Sequence, residues 1–153
     1  MEDIEIRAGS EEERQWAASI MAGMDPWITL GRGIDVCLKV CHNPEFRFFI
    51  AHYKSAPCGF IFIHPHGIAG SPYIASIAVA DGFRGLSVGT QLLRFAEEFS
   101  IADARHIFLC VSSFNPRARA LYERQGYVPV GELKDYIIRG ASEIIMQKRL
   151  REV

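Results

Sequence analysis

The sequence predicts a single domain of mixed α/β class, in which helices flank a mostly antiparallel sheet. The first observation is a strand-to-helix unit over residues 73–100, where an uncharged apolar run passes through a glycine-bearing loop into helical periodicity. A second unit follows, with an apolar strand over residues 107–111 and a helix that begins near Asn115. The third observation is a pair of hairpin-like regions, over residues 46–64 and 128–149, which favours antiparallel pairing.

Composition restricts the classes of function. The 153 residues suit one domain, 1–153, large enough to bury most of its apolar surface. The net charge of −1 gives no electrostatic reason to expect nucleic acid or an anionic membrane as a partner. No apolar run is long enough to span a bilayer, and the acidic N-terminus is atypical of a secretory signal. The 4 cysteines lie in apolar surroundings, so we expect a reducing, cytoplasmic location.

The first elements are read from their caps and periodicities. Residues 4–7 alternate like an edge strand, and Ser10 followed by three glutamates predicts a helix that runs to about Gly23. The apolar link over residues 24–31 contains a proline and is expected to form a mobile wall. A second helix is predicted over residues 33–42. Its expected buried stripe consists of Val36, Cys37, Val40 and Cys41.

Two groups of potential metal ligands occur in the chain. Cys37 and Cys41 lie four residues apart beside His42, but no second ligand pair stands at zinc spacing, so helix packing is the interpretation. His64 and His66 lie in an expected turn, where histidines usually face solvent. We therefore predict no metal.

The remaining strands are bounded by turn residues. Residues 46–53 and 58–64 are predicted strands with a turn at 54–57 between them. Residues 128–138 and 142–149 are a second predicted pair that closes the sheet. Cys110 is expected to be buried within the strand over residues 107–111.

The loop of the first strand-to-helix unit predicts an anion site. A helix that starts after such a loop presents unpaired N–H groups and the positive end of its dipole. Gly85 and Gly89 let the backbone approach the anion closely, and Arg84 adds charge. The spacing differs from that of a nucleoside-triphosphate P-loop and from that of a dinucleotide site.

Two strings resemble motifs of the GNAT superfamily of N-acetyltransferases. The string Arg84-Gly85-Leu86-Ser87-Val88-Gly89 resembles its coenzyme A pyrophosphate loop, Gln/Arg-x-x-Gly-x-Gly/Ala, with Ser87 where the middle glycine is expected. Serine fits there only in a backbone conformation open to a residue with a Cβ. Residues 115–127 are similar to the pattern Asn-x-x-Ala-x-x-Leu-Tyr-x-x-x-Gly-Phe/Tyr at every position. The two strings occur in the family's order.

The resemblance implies the GNAT fold, whose central sheet is splayed at a central parallel strand pair, and acetyl-CoA as co-substrate. It implies a cofactor site formed by Ile77, Ala78, Val79, Arg84, Gly85, Leu86, Ser87, Val88, Gly89, Thr90, Asn115 and Tyr122. By the same resemblance Tyr122 is the general acid at the sulfur. A packing role remains the alternative for Tyr122, because Ala118, Leu121 and Tyr122 share one helix face.

The general base stays open at the level of sequence. In several GNAT enzymes an acidic residue on the strand before the loop takes this role, but residues 73–80 contain no acid and no histidine. The remaining candidates are Glu143, Asp135, His64 and a water chain on backbone carbonyls.

The expected acceptor is a primary amine of a small molecule or a peptide. Trp27, Ile28 and Tyr136 are predicted to bind it, because apolar walls suit a peptide N-terminus or a small amine with an apolar group. A homodimer is compatible with the sequence. The competing function is a non-catalytic acyl-CoA-binding or sensing module on the same fold. Ser87 and the missing strand acid favour that alternative, and the presence of Tyr122 weighs against it.

Overall fold

The computed structural model describes residues 3–152, which form one seven-stranded sheet with helices on both faces. The helices within this range are α1 Glu11–Ala22, α2 Ile34–Cys41, α3 Val88–Ile101 and α4 Pro116–Arg124. The strands are β1 Ile4–Ala8, β2 Arg47–Tyr53, β3 Ala56–Ile68, β4 Ser71–Val79, β5 His106–Ser112, β6 Val128–Leu133 and β7 Glu143–Arg149. The strand order is β1-β2-β3-β4-β5-β7-β6, and every neighbouring pair is antiparallel except β4 and β5. The predicted fold class is confirmed.

The parallel pair β4–β5 is joined only at one end. Its register contains Tyr73 opposite Phe108 and Ile74 opposite Leu109, and no later residue of β4 pairs with β5. At the same point β4 skips Ala75 in its pairing with β3, which passes from Ile74 to Ser76. A bulge of this kind bends its strand and increases the local twist. The bend at Ala75 therefore accounts for the separation of β4 from β5 beyond residue 74.

The two faces of the sheet carry separate cores. Alternate residues of a strand point to opposite faces, and β3 shows this directly. Phe60 and Phe62 pack with α1 and α2, whereas Ile61 and Ile63 pack with α3 and α4. All four side chains are fully buried. Burial of such a side chain contributes roughly 1.5–3 kcal/mol, so both helix layers are held firmly to the sheet.

Helix α1 begins as its sequence predicts. The hydroxyl of Ser10 accepts a 3.3 Å hydrogen bond from the N–H of Glu13, and the Glu13 carboxylate accepts a 2.9 Å bond from the N–H of Ser10. This reciprocal arrangement satisfies two N–H groups that the helix cannot pair internally. The helix ends at Ala22, with Gly23 as its C-cap.

The predicted buried stripe of α2 is partly wrong. Cys37 and Cys41 are fully buried, but Val36 is 41% exposed. Consecutive helical residues are rotated by about 100°, so Val36 faces away when Cys37 faces the core. The thiol of Cys41 contacts the sulfur of Met21, which makes the cysteine pair a packing feature between α1 and α2.

Two predicted turns differ from the structure. The turn predicted at residues 54–57 is shorter, and the turn predicted around His64 and His66 is not present there, because these residues lie in a strand. The first reversal needs only Lys54 and Ser55, both with positive φ, as in a two-residue hairpin turn whose twist matches the strands. His64 and His66 belong to β3, which continues to Ile68 through an irregular register around Pro65. Pro65 obscures the strand in the sequence because it cannot donate to a ladder.

Strand β6 is shorter than predicted. It ends at Leu133 rather than continuing to residue 138, because Asp135 adopts a φ of 50° that no strand residue takes. Oδ1 of Asp135 then accepts a 2.6 Å hydrogen bond from the N–H of Gly140, which closes the connection to β7. Cys110, expected to be buried, is only half-buried, because one side of β5 is open where β4 departs.

Candidate active site

One cavity of about 750 Å³ occupies the gap between the separated ends of β4 and β5. A cavity of this size lies within the range that takes drug-sized ligands. It extends from the start of α3, past α4, through the gap to the segment between α1 and α2. Its wall includes Trp27, Arg32, Tyr73, Ile77, Ala78, Val79, Arg84, Gly85, Ser87, Val88, Gly89, Thr90, Cys110, Ser112, Asn115, Arg117, Tyr122, Arg124, Tyr136 and Glu143.

The first turn of α3 is open for an anion. Its N-cap, Ser87, makes no side-chain capping bond, and the first turn contains no acidic residue. Ser87 lies in the left-handed region at φ 64° and ψ 23°, and Gly85 has a φ of 84°. These conformations turn the chain sharply into the helix and leave its first N–H groups facing the cavity. The left-handed conformation costs serine about 1 kcal/mol, a cost that glycine would avoid.

Gly89 allows three elements to meet at this point. A Cβ added to Gly89 would lie 3.1 Å from Cδ2 of Leu121 on α4 and 3.8 Å from Cγ2 of Val79 on β4. A side chain here would have to displace the end of the Leu121 side chain. The lack of a side chain therefore lets the start of α3 lie close to α4 and β4.

Arginines surround this end of the cavity. Arg84 lies 3.6 Å from the carboxylate of Asp81, and both side chains are solvent-exposed. Arg117 and Arg124 of α4 also line the wall. Guanidinium groups bind phosphate oxygens in a bidentate manner. The arginine side chains, the glycines that let the backbone come close, and the unpaired N–H groups at the start of α3 together fit a diphosphate group.

Tyr122 of α4 forms part of the cavity wall. Its side chain is only 7% exposed, and its ring meets that of Tyr127 edge-on at 6.2 Å. Burial raises the pKa of Tyr122 to about 12, so the hydroxyl keeps its proton over the physiological range. Within residues 3–152 this hydroxyl has no hydrogen-bond partner, and it is free to donate to a ligand.

The neighbouring Tyr127 differs in this respect. Its hydroxyl donates a 3.0 Å hydrogen bond to Glu97, whose other oxygen accepts a 2.9 Å bond from Lys148. Burial and then the Glu97 carboxylate raise the pKa of Tyr127. The two tyrosines therefore have separate roles. The hydroxyl of Tyr127 is used in a structural hydrogen bond, whereas Tyr122 lines the cavity.

Asn115 lies at the beginning of α4. Its Oδ1 accepts a 3.3 Å hydrogen bond from the N–H of Ala118, which caps the helix. Pro116 follows at the first helical position, and Gly126 with a φ of 97° follows the helix end. The caps predicted from the sequence are thus present, and Asn115 reaches the cavity while it caps the helix.

On the far side of the gap, β5 and β7 present a polar group. The hydroxyl of Ser112 donates a 2.6 Å hydrogen bond to Oε2 of Glu143, whose side chain is buried. Tyr73 and Cys110 line the same region, and burial raises the pKa of each. Glu143 thus brings a carboxylate into a cavity whose other wall holds Tyr122.

The other two base candidates lie outside the wall. Asp135 is occupied by the N–H of Gly140, and His64 is 2.9 Å from the carboxylate of Glu45 on the surface. Neither lines the cavity. Among residues 3–152, no three His, Cys, Asp or Glu side chains gather as a metal site. No helix in the described range is long and apolar enough to cross a membrane.

The segment between α1 and α2 closes the cavity from the side of Glu143. Oδ1 of Asp25 accepts hydrogen bonds from the N–H and the hydroxyl of Thr29, at 2.9 and 2.6 Å. The N–H of Arg32 donates to the carbonyl of Trp27 at 2.9 Å. The segment is a loop with internal hydrogen bonds, and it forms part of the cavity wall as expected from the sequence. Trp27 lines the cavity, and Ile28 lies outside it with 57% exposure.

Of the remaining predicted site residues, some line the cavity and others lie outside it. Tyr136 lines the mouth and is 66% exposed, whereas Leu86 packs against the core on the α3 side and is absent from the wall. Sequence reasoning missed Tyr73, Cys110, Ser112 and Arg32. The alternation along β5 could have indicated Cys110 and Ser112 as one face, but the direction of that face depends on the bulge in β4.

The chain is similar to known proteins in both sequence and fold. The model of the acetyltransferase (GNAT) family matches residues 10–127. An uncharacterized N-acetyltransferase of Methanocaldococcus jannaschii is 39% identical over 82 residues, which are 52% of this chain and 53% of that protein. The match thus spans about half the length of this curated relative.

Two solved structures illustrate the shared fold. Ard1 of Thermoplasma volcanium has a TM-score of 0.80 at 18% identity, covering 98% of this chain and 99% of that chain. An aminoglycoside 6′-N-acetyltransferase complexed with coenzyme A has a TM-score of 0.79 at 17% identity, covering 97% of this chain and 98% of that chain. At these identities the likeness concerns the fold alone.

Proposed function

The chain belongs to the GNAT acetyltransferase family, and from this premise we propose that it transfers the acetyl group of acetyl-CoA to a primary amine by direct attack. The observation that carries the proposal is the continuity of the cavity. It joins the open start of α3 to Tyr122 on one side of the sheet, and it reaches Glu143 through the gap between β4 and β5. A donor and an acceptor can therefore meet without leaving the protein.

The donor is held by backbone groups at the start of α3. The N–H groups from Ser87 to Thr90 and the cations of Arg84, Arg117 and Arg124 bind the diphosphate. The backbone of residues 77–79, which has no partner on β5, binds the pantetheine arm and thioester. Asn115 contacts the same arm. Acetyl-CoA supplies the activated acetyl group, and the chain supplies its orientation.

Tyr122 assists departure of the sulfur. When the amine nitrogen bonds to the acetyl carbon, the carbon–sulfur bond breaks and negative charge develops on sulfur. Burial raises the pKa of Tyr122 to about 12, above the reference thiol value of about 8.5, so complete proton transfer at rest is uphill. The hydroxyl therefore acts by donating a hydrogen bond that strengthens as the charge develops, where stabilisation raises the rate.

Glu143 is the base of this proposal. It is the one candidate among Glu143, Asp135 and His64 that lines the cavity, and Ser112 fixes one of its two oxygens. The other oxygen has no partner within residues 3–152 and is free to accept the proton that the amine nitrogen loses. A peptide α-amine, with a reference pKa near 8, requires less help than a lysine near 10.4.

The acceptor of this proposal is a peptide N-terminus or a small amine with an apolar group. Trp27 and Tyr136 line the cavity on the side of Glu143, beside Met24, Leu30 and Phe46. Apolar walls around a single buried carboxylate favour one amine on an apolar stem over a polyamine, which requires several carboxylates.

A non-catalytic acyl-CoA-binding module is the second candidate. The serine at position 87 in a glycine-favouring conformation and the absence of an acid on β4 favour it. The free hydroxyl of Tyr122 opposes it, because binding alone does not require that group.

One assay separates the two functions. The purified chain is incubated with acetyl-CoA and a panel of peptides and amines, and release of free CoA is followed with a thiol reagent. Release that depends on an amine, together with the acetylated amine identified by mass spectrometry, supports the transferase. Acetyl-CoA binding without release under every condition would support the binding module.

A further inference from the structure

Arg32 is a cation on the acceptor side of the cavity that has no charged partner. Its side chain is half-buried and lines the cavity, and within residues 3–152 it makes neither a salt bridge nor a hydrogen bond. The nearest acid in sequence, Asp35, is exposed and forms no salt bridge with Arg32 within the described residues, and Oδ1 of Asp25 accepts hydrogen bonds from Thr29. Its five N–H donors have no protein partner within the described residues and remain open to solvent in the cavity, so they are available to an anionic ligand.

The loop fixes Arg32 next to the proposed acceptor wall. Its N–H donates to the carbonyl of Trp27, and its own carbonyl accepts a 3.7 Å contact from the thiol of Cys37 at the start of α2. Met24 and Trp27 of the same loop pack with the core on the α1 and α2 face. Arg84, Arg117 and Arg124 belong instead to the opposite end, where α3 and α4 begin or end. Arg32 is therefore separated in the fold from the cations proposed for the donor.

We propose that Arg32 binds an anionic group of the acceptor, so that preferred acceptors carry a carboxylate or a phosphate in addition to the amine. This inference rests on the proposed function and narrows its substrate class. The amine lies toward Glu143, an apolar stem contacts Trp27, and the anionic group pairs with the guanidinium. Both oxyanions match the fork of an arginine, and the paired acceptors below distinguish them.

The test compares acceptors that differ only in the anionic group. L-Leucine is paired with 3-methylbutylamine, which lacks its carboxylate, and phosphoethanolamine is paired with ethanolamine. Each is assayed with the wild type, with Arg32→Met, and with Arg105→Met. Arg105 is an exposed arginine outside the cavity wall, so its variant changes the net charge equally. Ratios between variants cancel the intrinsic differences in amine basicity.

We expect Arg32→Met to lower kcat/KM about ten- to a hundredfold for at least one anionic acceptor, the range of a lost charged hydrogen bond. Its neutral partner should change less than threefold, KM for acetyl-CoA should stay constant, and Arg105→Met should change nothing. If kcat/KM falls more for L-leucine, the preferred anionic group is a carboxylate; if it falls more for phosphoethanolamine, it is a phosphate. An equal loss for anionic and neutral amines, a rise confined to KM for acetyl-CoA, or wild-type activity on neutral amines alone would overturn the proposal. Failure of the wild type to acetylate any amine would instead overturn the proposed function itself.

Discussion

The hydroxyl of Ser112 donates a 2.6 Å hydrogen bond to Oε2 of Glu143, and this bond joins the last residue of β5 to the first residue of β7. The two residues are also cross-strand partners in the sheet. The pair lies on the part of β5 that follows its last pairing with β4 at Leu109, so a buried carboxylate is held at the opening between the two strands.

Glu143→Gln should lower kcat/KM for a peptide amine about 10²- to 10⁴-fold, since the variant keeps the shape but cannot accept a proton. The loss should shrink for a weakly basic amine, which is already neutral. The pH–rate profile of both proteins, measured with each amine, checks this. Ser112→Ala should cause a smaller loss, because it removes only the group that orients the carboxylate.

A matched control exists on the surface. Ser142 donates a 2.6 Å hydrogen bond to the exposed Glu132, so Glu132→Gln alters a similar pair outside the cavity wall. It should leave the kinetics unchanged. If Glu143→Gln loses the same factor with amines of every basicity, Glu143 has a structural role instead.

The loop before α3 gives a prediction about the donor. Gly89→Asp should abolish the advantage of coenzyme A over dephosphorylated pantetheine in isothermal titration, because it adds a like charge and a side chain beside Leu121. Ser87→Gly should retain coenzyme A binding, since glycine takes the left-handed conformation without strain. Equal affinity of the wild type for both ligands would contradict a diphosphate site here.

Local chemistry made much of the fold predictable. Ser10, Asn115 and Gly126 act through bonds or backbone angles within a few residues, so their caps could be read from the sequence. The change from a strand period to a helix period before Val88 is equally local. The site at the start of α3 follows from these features.

The acceptor side could not be predicted in the same way. Which face of β5 meets the cavity depends on the bulge at Ala75 and on the two-residue register between β4 and β5, which are properties of paired strands. Ser112 and Glu143 meet only because β5 and β7 pair in one register, although they are 31 positions apart. The end of β6 depends on the backbone angle of a single residue, Asp135.

The lowered pKa of Glu13 predicts how the free energy of unfolding changes at acidic pH. Burial alone would raise its pKa, but hydrogen bonds from Arg7 and Ser10 outweigh it and lower the pKa to about 2. The folded carboxyl thus holds its proton less tightly than the unfolded one, so its stabilisation is complete above about pH 4.5 and is lost as the pH falls toward 2. Because solvent screens the pair, we expect a contribution of about 1–2 kcal/mol.

Chemical denaturation at several pH values measures this contribution. Glu13→Gln should destabilise the fold at pH 7 and flatten the pH dependence of the free energy of unfolding below pH 4.5. Glu12→Gln, at an exposed neighbouring position, should preserve the wild-type pH dependence. An unchanged acid limb in Glu13→Gln would refute the assignment.

The acceptor wall gives a kinetic prediction. Trp27→Ala and Tyr136→Ala should each raise KM for the amine about three- to thirtyfold, while KM for acetyl-CoA stays nearly constant. The reason is that both residues line the cavity on the same side as Glu143. Ile28→Ala serves as the control, since that side chain lies outside the wall. Weakened binding of the donor alone, or a polyamine as the preferred acceptor, would place the acceptor elsewhere.

The role of Tyr122 is the central claim, and the turnover number of Tyr122→Phe tests it most directly. Phenylalanine keeps the ring that packs against Tyr127 and removes only the hydroxyl that faces the cavity. We predict that kcat for acetyl transfer falls roughly ten- to a thousandfold, as expected when one transition-state partner is lost, while the affinity for coenzyme A and the melting temperature change little. Tyr127→Phe, which loses its bond to Glu97, should instead lower stability and leave kcat close to the wild type. A folded Tyr122→Phe protein with full kcat would contradict the account.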